Sequence, residues 1–305
     1  MTRYIIQRIF WLLIVLLVVS FITFSLMHLV PGGPWDKEKT LAPQVVDALN
    51  KKYGLDKPFI VQFGDFLWGL LHGDLGVSYS FQDRGVTQIL LEGLPKTATL
   101  GIIAFILAII IGIPFGMAAA LKQNSVIDYL SVIFSTIFAS IPGFVLGILL
   151  IIIFSVELHW LPTGGWGSVQ QIIMPAFALA TLPAAFIARI TRASTLEVMR
   201  QDYIRTAQAM GLRQRVILIR HVLRNALIPV ITMAGPELAF LISGSFIIEN
   251  LFSIPGIGRM FVNGVFARDY GLIMGSVIFY GFVIAGINLV VDLLYAVIDP
   301  RIRYD

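Results

Sequence analysis

The chain has 305 residues, of which 57% are hydrophobic and 13% charged, with a formal net charge of +4 and a mean hydropathy of +0.86. Soluble domains average about 45–50% apolar and about 25% charged residues, and they need a polar shell around their core, so this composition excludes a water-soluble globule. Cysteine is absent, which excludes disulfides, thiolate metal sites and cysteine nucleophiles.

A helix that crosses roughly 30 Å of hydrocarbon needs about 20 mostly apolar residues. Segments 9–30, 98–121, 126–154, 172–190, 226–248 and 272–298 meet that requirement. The expected fold class is all-α: a polytopic membrane protein of about six transmembrane helices. The first segment follows Arg3 and Arg8 but is longer than a signal-peptide core and ends in His28-Leu29-Val30-Pro31-Gly32-Gly33-Pro34, without a small-residue cleavage site. It reads as a retained helix. The third is long enough to cross with tilt. Pro175 and Pro183 weaken the fourth, and Pro229, Gly235 and Pro236 interrupt the fifth.

Lysine and arginine set the expected orientation. Arg189, Arg192, Arg200, Arg205, Arg213, Arg215, Arg220 and Arg224 crowd between the fourth and fifth segments, whereas 155–171 holds no lysine or arginine. Arg3, Arg8, Lys122, Arg301 and Arg303 thread to the arginine-rich side; Arg259 and Arg268 fall opposite. Both termini are therefore expected in the cytoplasm. The chain divides into 1–30 (N-terminus and first span), 31–97 (an external region) and 98–305 (a five-helix core with a cytoplasmic segment at 191–225). In the external region Asp36, Lys37, Glu38 and Lys39 alternate in charge, and Val45, Val46 and Leu49 predict a short helix over 43–53, closed by Gly54. Phe59, Phe63, Phe66 and Trp68 form an aromatic cluster suited to the outer interface.

Segment 191–225 is the most informative. Its spacing predicts a short helix over 203–210, with Asp202 as N-cap and Gly211 as terminator, then an amphipathic stretch over 216–223. The arginines alone satisfy the positive-inside rule and suit anionic membrane lipid. No recognition module accompanies them, so nucleic acid is not an expected partner. The order of short helix, glycine, amphipathic helix and proline-bearing span suits a lever that carries motion from a cytoplasmic partner into the membrane.

This text resembles a known family. Arg205-Thr206-Ala207-Gln208-Ala209-Met210-Gly211 is similar to the coupling loop of ABC-importer permeases, matching its general pattern at Ala207 and Gly211. Arg205 and Thr206 depart from the Glu-Ala of that pattern. The peptide/nickel branch matches more fully. Its resemblance is carried by Pro31-Gly32-Gly33-Pro34, Tyr53-Gly54-Leu55-Asp56-Lys57-Pro58, Gly73-Asp74-Leu75-Gly76-Val77-Ser78, Ala188-Arg189-Ile190-Thr191-Arg192, Ser253-Ile254-Pro255-Gly256-Ile257-Gly258 and the closing 295–304. His159-Trp160-Leu161-Pro162 with Gly164-Gly165-Trp166 further resembles the B-type subunits of oligopeptide permeases.

The resemblance implies a type I ABC importer permease fold and a non-enzymatic subunit. It implies a second related permease, two ATP-binding subunits carrying ATP and Mg, an extracytoplasmic substrate-binding protein and a peptide substrate, in a bacterial cytoplasmic membrane. Dipeptides, glutathione, nickel chelates and oligosaccharides are alternative cargoes within the branch. Tyr203, Arg205, Thr206, Ala207, Met210, Gly211 and Arg213 would then couple to the ATPase.

The residues themselves agree with that division of labour. No phosphate loop occurs, and the dipeptide Gly-Lys is absent. His28, His72, His159 and His221 lack metal-ligand spacing, so no cofactor or metal site is expected on this chain. Glu237, a midspan acid, and Phe240 are the pathway candidates; an ionised carboxylate there costs at least about 2.5 kcal/mol and must face the interior or be neutral. Asn288 and Asp292 share a helix face, with Asp292 placed to meet Arg301 or another arginine. Pro255, Gly256 and Gly258 predict a turn in a re-entrant element over 252–261, at the outer mouth or the binding-protein dock. An ion-coupled secondary carrier would need several intramembrane acids and an internal repeat; an intramembrane enzyme, paired catalytic groups at depth; a channel, a filter sequence.

Overall fold

The computed structural model describes residues 2–35, 42–81 and 84–298, with the side chains of 6–35, 42–81 and 84–290. The alternating charges at Asp36 to Lys39 and the pairing of Asp292 with Arg301 lie outside the described residues. The described elements are helical, apart from an isolated antiparallel bridge between Val77 and Gly85. In chain order they are α1 Thr2–Leu29, α2 Pro43–Tyr53, α3 Phe59–Leu71, α4 Val86–Leu121, α5 Val126–Ser140, α6 Gly143–Leu150 and a π-helical segment Ile151–Glu157. There follow α7 Val169–Met199, α8 Asp202–Ala209, α9 Gln214–Val216, a second π-helical segment Ile217–Leu223, α10 Arg224–Ser243, α11 Phe246–Leu251, α12 Ile257–Ala267 and α13 Tyr270–Ile298. Among the described residues, five helices are long and apolar enough to cross a membrane, and the pair α5–α6 with its π-helical extension makes a sixth crossing if counted as one. The chain divides into two compact units, residues 1–97 with 255–305, and residues 98–254.

In the first unit α1 packs along α13, with Leu16 joined to Leu272, Ile278 and Tyr280 in one core. A second core joins Phe24 and Met27 of α1 to Phe63 of α3 and to Ile273 and Met274 of α13. The expected helix over Pro43–Tyr53 is present, and Gly54 ends it with φ 68°, the left-handed conformation that glycine adopts without a Cβ penalty. The aromatic cluster does not face outward together. Phe59, Phe63 and Phe66 recur at helical spacing on one side of α3; Phe59 and Phe63 pack on Phe21 and Phe24, and Phe66 on the core, leaving Trp68 exposed on the other side.

The second unit is organised around α7, packed against α5, α6 and α10. Ala176, Ala180, Ala184 and Ala188 recur every fourth residue and are buried, giving a smooth face on which neighbouring backbones come close. The α4 residues Gly112 and Gly116 lie against that face: a Cβ on Gly116 would collide with the carbonyl oxygen of Ala188.

Three span boundaries differ from expectation. The third span is not one tilted helix. Proline steers the residue before it out of helical conformation, so Ile141 is extended ahead of Pro142 and the path bends by 98°. Conversely, α7 and α10 run unbroken through their prolines, Pro175 and Pro183 being buried between neighbours. Packing retains a proline-bearing membrane helix when surrounding groups accommodate the freed carbonyls. The fifth span, an apolar stretch from Gln214 to Leu251, is interrupted at Gly244, where α10 ends and α11 begins as a separate short helix.

Candidate functional site

Where α7 ends, the chain turns through Arg200 and Gln201 into α8. Gln201, not Asp202, is the N-cap, and Asp202 opens the first turn, with Thr206 donating its hydroxyl to the Asp202 carbonyl at 3.0 Å. One side of α8 is internal: Ile204 and Ala207 are buried with Ile217 and Val222 of the second π-helical segment, and Val198 and Met199 close the cluster. The other side is open. Arg205, Thr206, Met210 and Arg213 are exposed, Met210 at 73%. Among the described residues Arg205 reaches Asp202, 3.6 Å away and itself exposed.

The helix stops in a Schellman arrangement. Leu212 N–H donates to the Ala207 carbonyl at 3.3 Å and Gly211 N–H to that of Gln208 at 2.9 Å, with Gly211 at φ 74°. Tyr203 is fixed from below: Asn225 Nδ2 donates to its hydroxyl at 3.0 Å and to the His221 carbonyl at 2.9 Å. Of the seven residues expected to couple, Ala207 therefore belongs to the internal face, Gly211 shapes the backbone, and the others are on the surface. The expected amphipathic stretch after Gly211 is not a separate helix. Its π-helical segment runs on into α10.

One salt bridge anchors this lever. Arg192 lies on α7 before α8, and its Nε and Nη2 donate to both carboxylate oxygens of Asp128 at 2.6 and 2.8 Å. Asp128 is buried in the first turn of α5 and also accepts from Asn124 N–H at 3.0 Å. A carboxylate there satisfies a backbone donor and faces the positive end of the helix. In the sequence Arg192 is one of many basic residues and closes the run from Ala188 that carries the family resemblance, and neither feature names a partner for it. An acid in a first helical turn, three residues after Ser125, was the available signal for its partner.

Glu237 and Phe240 lie within α10. Glu237 is half-buried and Phe240 is 66% exposed, on an open face that also carries Met233. The remaining candidates belong to the first unit. Gly256 is extended and buried, and Gly258 falls inside α12 rather than in the turn, whose positive φ belongs to Ser253. Thr97 Oγ1 accepts from Ile257 N–H at 2.9 Å, seating the start of α12 on α4.

A second cluster that sequence reading missed centres on Asp269. Its Oδ2 accepts from Ser78 Oγ and from the Tyr79 and Ser80 N–H groups, the latter two at 2.9 Å, while Oδ1 caps α13 through Leu272 N–H at 3.0 Å. The run from Gly73 to Ser78 is thus a docking loop held by this carboxylate. An Asp immediately before the last apolar run is an N-cap signal; its other partners could not be read from spacing.

The geometry defines a multi-pass helical protein with a short solvent-facing helix folded back at the end of a long, buried span. The fold recurs in solved importers. A chain of the MetNI methionine ABC transporter, crystallised in inward-facing conformations, aligns with a TM-score of 0.58 at 20% identity, over 70% of this chain and 97% of that one. An amino acid ABC transporter crystallised with histidines aligns at 0.54 and 16%, over 71% and 95%. The protein has the fold of an ABC importer permease. A family model described as the binding-protein-dependent transport system inner membrane component matches residues 112–304, and the N-terminal model of the same systems matches 1–101. The chain belongs to the binding-protein-dependent transport system inner membrane component family.

Among its curated relatives, the oligopeptide transport system permease protein OppB of Escherichia coli strain K12 is 42% identical over 306 residues, covering 100% of both chains. OppB of Haemophilus influenzae is 40% identical over 306 residues, and a putative peptide transport system permease protein of Brucella abortus 40% over 315, each again over 100% of both chains.

Proposed function

We propose that this chain is the B-type permease subunit of an ATP-driven importer of oligopeptides, and that α8 with the Gly211 turn is its contact with a cytoplasmic ATPase subunit. The observation that carries the coupling role is the division of α8 into two faces. Ile204 and Ala207 fasten it to its own chain, while Arg205, Thr206 and Met210 present a surface of mixed charged and apolar character that none of the described residues covers. A helix fastened in this way moves with the end of α7 as a rigid body when a partner pulls on its outer face. The cargo follows from the names of full-length relatives at 40–42% identity.

In this reading the assembly pairs the chain with a second related permease, two ATP-binding subunits that carry ATP and Mg, and an extracytoplasmic substrate-binding protein. The termini and the arginine-rich segment face the cytoplasm of a bacterial cell, as the positive-inside rule directs. Closure of the ATPases moves α8 and switches the spans between two openings, the alternating access of transporters built from broken helices. Glu237 and Phe240 line the passage or meet the second permease, and the turn at Pro255 and Gly256 supports the outer dock.

The test is the ATPase activity of the complex reconstituted in lipid with its neighbouring subunits, with and without binding protein loaded with a tetrapeptide. Stimulation by the loaded protein supports the proposal. Absence of any associated ATPase overturns it in favour of an ion-coupled carrier; stimulation by nickel chelates, glutathione or sugars in place of peptide changes the cargo and keeps the machine.

A further inference from the structure

Resting on that coupling role, we infer that the Asp128–Arg192 pair is a latch that passes the displacement of α8 to the turn between α4 and α5, so that both residues are positioning residues for transport. The pair sits at a particular place on the lever. From Arg192 to the end of α7 at Met199 is about 10 Å of helix at about 1.5 Å per residue, and beyond it α8 is fastened back by Ile204 and Ala207. Displacement of α8 is therefore displacement of Arg192.

What Arg192 grips is the other half of the argument. Asp128 belongs to the first turn of α5, directly after the turn through Asn124, which has φ 61°. Both carboxylate oxygens are engaged by one planar guanidinium, a geometry that fixes direction as well as distance. The Asp128 side chain is only 4% exposed and the Arg192 side chain 29%, so solvent reaches the pair from the arginine side alone and screens it less than a surface pair. On the neighbouring face of α7, Gly116 of α4 lies against Ala188 and Thr191. That contact is van der Waals packing of the glycine on the Ala188 backbone and the Thr191 Cβ and can slide; the ion pair cannot slide without breaking. Of the contacts described at this end of α7, it is the directional one. At its far end α5 reaches the 98° bend before α6, so a push at Asp128 is delivered to the point where the third span changes direction.

The experiment measures peptide carried per ATP hydrolysed in liposomes containing the whole complex, using a labelled tetrapeptide, with retained ATPase subunit and thermal midpoint measured on the same samples. Asp128→Asn should lower the ratio about tenfold, the effect of losing one charge-assisted interaction, while ATP hydrolysis continues. Asp128→Glu, which keeps the charge, should restore most of it. A merely structural role would lower transport, hydrolysis and yield together and leave the ratio unmoved, and that result overturns the proposal. If Asp128→Asn fails to assemble because Arg192 is left partly buried and unpaired, the double variant Asp128→Asn/Arg192→Met removes both charges; an unchanged ratio there also overturns it. Met210→Asp, on the exposed face of α8, separates the two ideas. If Met210→Asp uncouples and the Asp128 variants do not, the latch falls and the lever stands; if Met210→Asp also changes neither the ratio nor ATPase retention, the lever reading falls with it.

Discussion

Ser78 donates its hydroxyl to Asp269 although 191 residues separate them in the chain. The carboxylate is fully buried, and the same oxygen collects the N–H groups of Tyr79 and Ser80. A loop early in the sequence is thus held by the cap of the last long helix.

Asp269→Ala should therefore release two things together, the 78–80 loop and the first turn of α13. Each buried donor left without its acceptor costs about 1–3 kcal/mol, so the thermal midpoint in detergent should fall by several degrees. Hydrogen exchange at Tyr79, Ser80 and Leu272 should rise in the same variant. A fall in midpoint with unchanged exchange at these amides would show that the loss comes from elsewhere.

Gly211→Val should damage transport more than it damages the fold. No atom lies within 4 Å of a Cβ at that position, but φ is 74°, a left-handed conformation that is a genuine outlier for a β-branched residue. The chain is expected to relieve it by opening the Schellman turn, a local cost of about 1–3 kcal/mol. The measurement is peptide uptake normalised to assembled complex, which should drop severalfold while the membrane-inserted amount stays near that of the parent.

Gly116→Leu should act in the opposite way. Its side chain meets the Ala188 carbonyl and Thr191 directly, and overpacking of a tight helix contact costs about 1–3 kcal/mol or more. Loss of folded protein is the expected result, read by size-exclusion yield and thermal midpoint. A variant with normal yield and stability would mean that α4 can move away from α7 at no cost.

Alkaline pH should weaken the first unit through Tyr79. Burial pushes its phenol well above the ordinary tyrosine range, with Asp269, Tyr270 and Tyr53 adding to the effect. The folded chain therefore holds a proton that the unfolded chain releases from about pH 10. This contribution is complete below that pH and is lost as pH climbs toward the folded value. Lys57, raised by its hydrogen bond to Asp65, shifts in the same direction, but it is exposed and counts for less. The thermal midpoint should decline as pH rises above about 10, and Tyr79→Phe should flatten that decline; an identical pH profile in the variant would remove Tyr79 as its source.

The legibility of the sequence follows the range of each interaction. Local signals were sufficient for α2, bounded as expected at Pro43 and closed by Gly54, and for the Gly211 terminator, because helix ends are decided within a few residues. The apolar segments were legible for the same reason: hydropathy needs only one window. Proline misled in both directions. Pro142 breaks the third span by steering Ile141 into extended conformation, whereas Pro175 and Pro183 are carried inside α7 by neighbours that only the fold supplies. The two clusters that single residues could not announce, Asp128 with Arg192 and Asp269 with Ser78, join positions 64 and 191 residues apart. Arginine density indicated a membrane side and concealed that Arg192 has a buried partner.

The π-helical segment Ile217–Leu223 gives the fifth crossing a tolerance that its α-helical part lacks. A wider turn accommodates an extra residue in about the same rise as an α-helical one, so this stretch carries slack in its register. Deleting one residue there should let it tighten to α-helical winding and leave α10 facing as before. The same deletion inside Arg224–Ser243 would turn every later side chain by roughly 100°, carrying Phe240 off its face. Length variation in this crossing is therefore expected to collect between the arginine-rich segment and the membrane core, where it can change the reach of α8 without changing what α10 presents.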